Sequence, residues 1–290
     1  MLRIAIPNKG RLADETRQLF TDAGLEIRSQ GERSLSASLG GIFEAIIVRA
    51  QDIPEFVADG AADVGITGFD LITESGRCLR AISDLGFGRC RLAVAATEDS
   101  GIRSLADIPQ GARVATSFSR TASRYFAEAS LEVTLVPVSG AAEIAPHLGI
   151  ADIIVDLVST GSTLRVNGMR EVATILESTA RIVVRAEDAT PEANSERRSM
   201  IDDLVSALES VIRARGQRYL MANVRRDQLS EAKRILPGLN GPTVIDIMNG
   251  GQFVAVHAVV PAAGIYRTIS ELRAIGAEGM LVTRIERLVP

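Results

Sequence analysis

The stretch Ile153-Ile154-Val155-Asp156-Leu157-Val158-Ser159-Thr160-Gly161-Ser162-Thr163-Leu164 changes character along its length. The run Ile153–Asp156 is apolar until its last residue, the pattern of a strand buried on both faces. It ends on a carboxylate. A loop at 159–163 then offers hydroxyls and one glycine, and a helix can follow. A strand that passes through a short polar loop toward a helix is the repeating unit of an open α/β fold.

Both sides of this stretch continue the alternation. Upstream, Ala141–Leu148 reads as a helix, Val133–Pro137 as a strand, and Ser119–Ala129 as a helix with Ser119 as its N-cap. Arg113–Ala115 and Arg91–Thr97 read as strands. Val64–Thr67 is a strand that turns through Gly68-Phe69-Asp70 into another helix. Asp52–Asp59 is a short helix with Pro54 in its first turn, and Ile42–Val48 is a strand. Residues 2–6 form a strand stopped by Pro7, followed by a helix over Ala13–Ala23 that Gly24 ends.

Downstream, Val172–Glu177 and Arg181–Arg185 are strands, and the polar stretch Ala186–Asn194, with Pro191, reads as a linker. A long helix over Ser195–Ala214 is apolar at Met200, Leu204, Leu208 and Val211 and ends at Gly216. The pattern then changes. Strand Tyr219–Val224, helix Gln228–Leu236, and a break at Pro237-Gly238 lead to strand Thr243–Met248. A turn at Asn249-Gly250-Gly251 connects to strand Phe253–Val260, then helix Gly264–Ile275 and strand Met280–Ile285. The order β-α-β-β-α-β is the ferredoxin-like unit, and this tail should form its own domain.

Composition narrows the function classes. The chain has 290 residues, and roughly 150 residues per domain predicts about two domains. With 32 Lys and Arg against 36 Asp and Glu, the net charge of -4 argues against a protein that coats nucleic acid. Aromatics are 4% and Trp is absent, so base-stacking platforms are not expected. Two cysteines, Cys78 and Cys90, form no CxxC pair, which argues against a Cys/His zinc site. The expected state is two reduced thiols in a cytoplasmic protein. No apolar run approaches the ~18 residues of a membrane span, and the N-terminus reads as a strand rather than a signal peptide.

Three clusters carry chemistry. In the first, backbone donors and the hydroxyls of 159–163 suit a phosphate monoester, while Asp156 can accept from adjacent sugar hydroxyls. The stretch is similar to the phosphoribosyl-pyrophosphate (PRPP) signature of phosphoribosyltransferases. Its usual acidic pair is reduced to one, because Val155 precedes Asp156. A plain turn with solvated hydroxyls is the alternative.

The second cluster is Pro7-Asn8-Lys9-Gly10-Arg11-Leu12, two cations and a glycine at the end of the first strand, where open α/β sheets bind ligands. Lys9 can meet phosphates as a point charge and Arg11 bidentately. The third is Asp63-Val64-Gly65-Ile66-Thr67-Gly68-Phe69-Asp70, whose glycines allow close approach of a ligand or a second backbone and whose Asp70 could also serve as an N-cap. Arg49 and Asp52 read as a site cation and a cap, or as a surface pair. His147 and His257 read as surface and structural residues. Glu143 reads as a helix-surface or capping carboxylate, and Lys233 and Arg234 as a solvated face. GxxxxGK[ST] and GxGxxG are both absent, so a nucleotide would need a different pocket.

Taken together, these motifs resemble the ATP phosphoribosyltransferase family in its long form, from Met1 to the end. The tail pieces Leu236-Pro237-Gly238-Leu239, Pro242-Thr243 and Ala274-Ile275-Gly276-Ala277 with Ile285 add to the match. The resemblance implies a catalytic core of two lobes arranged like periplasmic binding proteins, with residues 1–92 and 177–215 as lobe I and 93–176 as lobe II. A regulatory, ACT-like domain of ferredoxin-like fold would occupy 216–290. It implies that Asp156 holds the ribose hydroxyls and that Ser159, Thr160, Gly161, Ser162 and Thr163 cradle the 5-phosphate of PRPP.

Lys9, Gly10, Arg11, Arg49 and Asp70 would line the ATP and pyrophosphate side. Leu239, Thr243 and Ala258 would lie in a site for histidine as feedback inhibitor. The resemblance also implies Mg2+, with no protein side chain assigned to it, and a homo-oligomer from dimer to hexamer. Neither nucleic acid nor membrane is an expected partner. Two competing readings are a cytoplasmic two-lobe solute-binding module and a nucleobase-salvage phosphoribosyltransferase.

Overall fold

The computed structural model describes residues 1–29, 31, 34–190, 195–248 and 251–289. The chain divides into two compact units, Met1–Val205 and Ser206–Pro290.

The first unit begins with β1 (Arg3–Pro7), α1 (Arg11–Asp22), β2 (Ile27–Arg28), β3 (Ser36–Leu39), β4 (Phe43–Val48), α2 (Ile53–Ala58), β5 (Val64–Gly68), α3 (Phe69–Ser75) and β6 (Leu79–Asp84). It continues with β7 (Cys90–Thr97), β8 (Ala112–Thr116), α4 (Ser119–Glu128), β9 (Val133–Pro137), β10 (Ile153–Val158), α5 (Ser162–Val166), β11 (Met169–Ser178) and β12 (Ala180–Arg185). The boundary between the units falls within α6 (Ser195–Ala214).

These strands form two sheets, ordered β2-β3-β4-β1-β5-β12-β6 and β11-β7-β10-β8-β9. In the first, β1 runs parallel to β4 and β5. In the second, β8 runs parallel to β10 and β9. The unbroken apolar runs have a direct cause, since both faces of each sheet are covered. On β7, Leu92, Val94 and Ala96 pack with Val114, Phe126 and Ile153 on one side. Ala93 and Ala95 pack with Ile154, Leu164 and Met169 on the other. The chain crosses between the sheets twice, and the crossings are bonded to each other, Leu85 N donating to Ala180 O and Ala180 N to Phe87 O, each at 2.9 Å.

Several local expectations change. Short β2 and β3 and the mostly exposed β6 escaped the sequence reading because their apolar alternation is too brief or too polar. The expected helix Ala141–Leu148 is only a 3-10 turn over Ala142–Ile144, since Pro146 interrupts it. His147 therefore lies in a turn, where its Nε2 is 2.8 Å from Asn167 O. Strand β10 runs two residues beyond Asp156, because β7 continues alongside and pairs with Leu157 and Val158. Ser119 is the first residue of α4, not its N-cap. The linker segment 191–194 and Asn249-Gly250 of the tail turn lie outside the described residues.

The second unit contains β13 (Gln217–Arg225), α7 (Leu229–Ile235), β14 (Thr243–Asp246), β15 (Phe253–Pro261), α8 (Ile265–Ala274) and β16 (Glu278–Arg284). Its sheet order is β14-β15-β13-β16, antiparallel throughout, which is the ferredoxin-like arrangement. Leu220, Ala222 and Val224 of β13 and Val254, Val256 and Ala258 of β15 alternate onto one face and are buried with Ala232, Leu236 and Leu272. The fold class is therefore a two-sheet α/β core followed by a ferredoxin-like domain.

Candidate active site

The carboxyl ends of β1 and β4 on one sheet and of β8, β9 and β10 on the other line a single cleft of about 880 Å³. Asn8, Lys9, Arg49, Asp52, Glu55 and Glu74 contribute from the first sheet's side, and Ser117, Phe118, Ser139 and Asp156 from the second's. A smaller pocket of about 320 Å³ shares Asp156 and Leu157 with this cleft and is walled by Glu143 and residues 158–164.

The smaller pocket is built on β10. Asp156 is half-buried and its Oδ1 accepts from Leu157 N at 2.7 Å. Its carboxyl is held above the usual aspartate value, chiefly because burial strips it of water, with the negative charge of Glu143 adding to this. Glu143, from a segment more than ten residues upstream in sequence, thus stands as a second acidic group in this pocket. The loop that follows is braced from within. Thr160 Oγ1 and Ser162 Oγ lie 2.9 Å apart, and Arg165 Nη1 donates to Thr160 O at 3.3 Å. Arg91 Nη1 reaches Ser159 O at 3.3 Å, while Glu171 grips that same guanidinium at 2.6 and 2.7 Å. Gly161 turns the loop into α5 with φ 73°, a left-handed conformation that favours glycine.

On the opposite wall, Asn8 N donates to Val48 O at 2.8 Å, which holds the chain after β1 beside the end of β4. Lys9 and Arg49 both face the cleft, and neither makes an ion pair with any described residue. Two cations outside any ion pair with a described residue suit the negative charge of a polyphosphate. Arg49 and Asp52 form no pair with each other, and no side-chain cap is made by Asp52.

The other expected residues lie elsewhere. Gly10 is the N-cap of α1, with φ 79°. Arg11, in the first turn of that helix, stands 3.8 Å from Glu15 with its side chain 63% exposed. Asp70 is buried in the first turn of α3 and hydrogen-bonds Ser178 through both its backbone N–H and its carboxylate. Burial, the leading cause, raises its carboxyl above the ordinary value. The two glycines before it are closely packed by the protein itself. A Cβ on Gly65 would strike Ile53 and Val57 of α2 at 2.5 and 2.9 Å, and one on Gly68 would strike the Asp70 carboxylate at 2.2 Å. They admit the protein's own packing.

In the second unit, Leu239 is exposed after α7, and Thr243 opens β14 opposite His257. Ala258 is on the buried helix side of the sheet, so the three do not share a face. His257 is engaged with the Tyr219 hydroxyl at 2.9 Å. Sequence reasoning passed over Ser117, Ser139 and Glu74. The first two follow the carboxyl ends of β8 and β9, and the general rule for ligand sites in α/β sheets would have found them.

Among the described residues no three acid, histidine or cysteine side chains gather as a metal cage. Asp156 with Glu143 beside it fits an ion that keeps its waters and takes one or two carboxylates plus phosphate oxygens. Nor is any described helix long and apolar enough to cross a membrane.

Comparison with known proteins identifies the family. The family model "ATP phosphoribosyltransferase" matches residues 49–210, and the model of the family's C-terminal domain matches 214–287. The chain is 66% identical to the ATP phosphoribosyltransferase of Gemmatimonas aurantiaca, with both chains covered in full. It is 42% identical to that of Methanothermobacter thermautotrophicus, over 100% of this chain and 99% of the relative. Among solved structures, a chain of the ATP phosphoribosyl transferase (HisG:HisZ) complex from Thermotoga maritima superposes with TM-score 0.63 at 27% identity. That match covers 73% of this chain and 99% of that one. The chain belongs to the ATP phosphoribosyltransferase family, in the form that carries the additional C-terminal domain.

Proposed function

We propose that the cleft transfers the 5-phosphoribosyl group from PRPP to N1 of the adenine of ATP and releases pyrophosphate, the first step of histidine biosynthesis. One observation carries the reading: a braced hydroxyl loop beside two carboxylates opens onto the same cleft as two cations that form no ion pair with any described residue. Ser159, Thr160, Gly161, Ser162 and Thr163 would receive the 5-phosphate. Asp156, assisted by Glu143, would accept from the ribose hydroxyls, and Lys9 and Arg49 would take the ATP and diphosphate charges. Gly10 would shape that loop, Arg11 would meet phosphate at its rim, and Asp70 would act from beneath through α3.

In the reaction the bond from C1 of the ribose to the diphosphate oxygen breaks, and a bond from adenine N1 to C1 forms. Charge builds on the ribose ring as in glycoside cleavage. The adenine nitrogen needs no strong base, so positioning and electrostatics dominate. Asp156 and Glu143 would hold Mg2+ together with substrate oxygens, and the ion would add positive charge at the leaving diphosphate.

Residues 1–92 with 177–215, and 93–176, would act as the two catalytic lobes, a division supported by the paired crossings near Leu85 and Ala180. Residues 216–290 would serve as a histidine-sensing domain in a cytoplasmic homo-oligomer, from dimer to hexamer. Thr243→Ala and Leu239→Ala should then weaken inhibition by histidine while leaving uninhibited turnover alone.

The deciding experiment measures pyrophosphate release with PRPP, Mg2+ and either ATP or adenine, and weighs the product. Release with ATP and a phosphoribosyl-ATP mass supports the reading. Release only with adenine indicates base salvage, and tight anion binding without release indicates a solute binder.

A further inference from the structure

Each lobe sends one helix end toward the other along the cleft wall. From the first-sheet side, α3 ends at Ser75 and Gly76. From the second, α4 begins at Ser119. Its own flanking residues give the start of α4 no side-chain cap. Glu74 supplies one from across the cleft. Its carboxylate accepts from Arg120 N at 2.9 Å, from Thr121 N at 2.8 Å and from Thr121 Oγ1 at 2.7 Å. An acid on a helix start satisfies free N–H groups and the positive end of the dipole together.

The contact is reciprocal. The Arg120 guanidinium lies against the turn that ends α3, so closely that a Cβ on Gly76 would come within 2.0 Å of its Nη1. A cation therefore sits at the end of α3, where the dipole is negative. Thr121 is buried, and Glu74 also lines the cleft that holds Lys9, Arg49 and Asp156.

We infer that Glu74 is a positioning residue: by gripping the first turn of α4 from the other lobe, it sets the separation between the Lys9–Arg49 wall and the 159–163 loop. This rests on the transfer reading above. ATP is assigned to the Lys9–Arg49 wall and the ribose 5-phosphate end of PRPP to the 159–163 loop, whereas the reaction needs N1 and C1 within bonding approach. A change in lobe separation should therefore lower kcat far more than it weakens binding of either substrate alone.

The test uses the full chain as wild type, Glu74→Ala, Glu74→Gln and Thr121→Val. Amide hydrogen exchange at Arg120 and Thr121, small-angle scattering, thermal midpoint, substrate Kd and kcat are compared. In Glu74→Ala, exchange at the two amides should rise about tenfold or more and kcat should fall about tenfold or more, with the Kd for PRPP alone within about threefold of wild type. Glu74→Gln and Thr121→Val should fall in between.

Wild-type kcat with freely exchanging amides would overturn the proposal. So would a fall in kcat accounted for wholly by loss of folded protein. If both Glu74 variants fail to fold, a Thr121→Val enzyme with wild-type kcat and wild-type scattering overturns it, and a graded loss of kcat upholds it. Exchange and scattering read the clasp without any turnover. An inactive wild type would therefore remove the transfer reading and leave the clasp measurable.

Discussion

The first turn of α4 and the loop at 159–163 both belong to the five-stranded lobe; the first follows the cleft residues Ser117 and Phe118, and the second walls the smaller pocket that shares Asp156 with the cleft. They differ in what already occupies them. At α4 the backbone donors face the carboxylate of Glu74. At the loop, the Thr160 and Ser162 hydroxyls bond each other, Arg91 and Arg165 hold the carbonyls of Ser159 and Thr160, and the flanking acids Asp156 and Glu143 stand to the side. The contrast teaches that helix-start donors alone do not define a ligand site. A start filled by the protein's own acid belongs to the architecture, and an unfilled one is available to substrate.

If that division is right, substitutions near the closed corner should cost stability and those near the open corner should cost affinity. The largest effect is expected at Phe126, fully buried on the inward face of α4 itself. Phe126→Ala should lower unfolding free energy by about 3–5 kcal/mol in urea titration. A loss confined to PRPP affinity would break the comparison. Next, Asp156→Ala removes charge-assisted acceptors worth about 1.5–3 kcal/mol, so the PRPP KM should rise roughly ten- to a hundredfold with little change in thermal midpoint. Unchanged kinetics would take Asp156 out of the site. Gly161→Ala forces a side chain into the left-handed region at a cost of about 1–2 kcal/mol, and should weaken PRPP roughly five- to thirtyfold.

Asp70 sharpens the comparison from beneath. Its carboxyl is held above the ordinary 3.8, mainly by burial. The folded state thus binds the proton more tightly than the unfolded one. The associated stability is full below the ordinary value and is lost as pH rises through the raised one. Asp70→Asn, which cannot ionise, should therefore gain on wild type as pH rises above the ordinary aspartate value, read from urea midpoints. A gap that narrows with rising pH contradicts this sign. The smallest test uses thiols. Burial, with Asp70 nearby, pushes the Cys90 thiol up to about 11, whereas Cys78 is exposed. Iodoacetamide should label Cys78 and spare Cys90, and early label on Cys90 would mean that the crossover region opens unaided.

Much of this was legible in the residues. Unbroken apolar runs such as Ile153–Asp156 identify strands covered on both faces, and the alternating 253–260 stretch identifies the half-covered sheet of the tail. The hydroxyl loop and Lys9 were visible because their chemistry is local. Glu143 and Glu74 were not, because each acts on a partner far away in sequence, and only the fold brings them to Asp156 and α4. The same limit explains why the residues packed against Gly65 and Gly68, in α2 and the Asp70 carboxylate, could not be named from sequence. It also explains Ser119, since the acid that replaces it as cap comes from another helix.

The placing of β12 between β5 and β6 has a consequence for synthesis on the ribosome. The five-stranded sheet is encoded continuously from Cys90 to Ser178 and can assemble once that segment has emerged. The seven-stranded sheet cannot, because its penultimate strand is made only after the whole inserted lobe. Until Arg185 leaves the exit tunnel, β5 presents an unsatisfied edge and β6 has nothing to join. The younger half of the core should thus mature first, and the nascent N-terminal half is where chaperone capture would be expected.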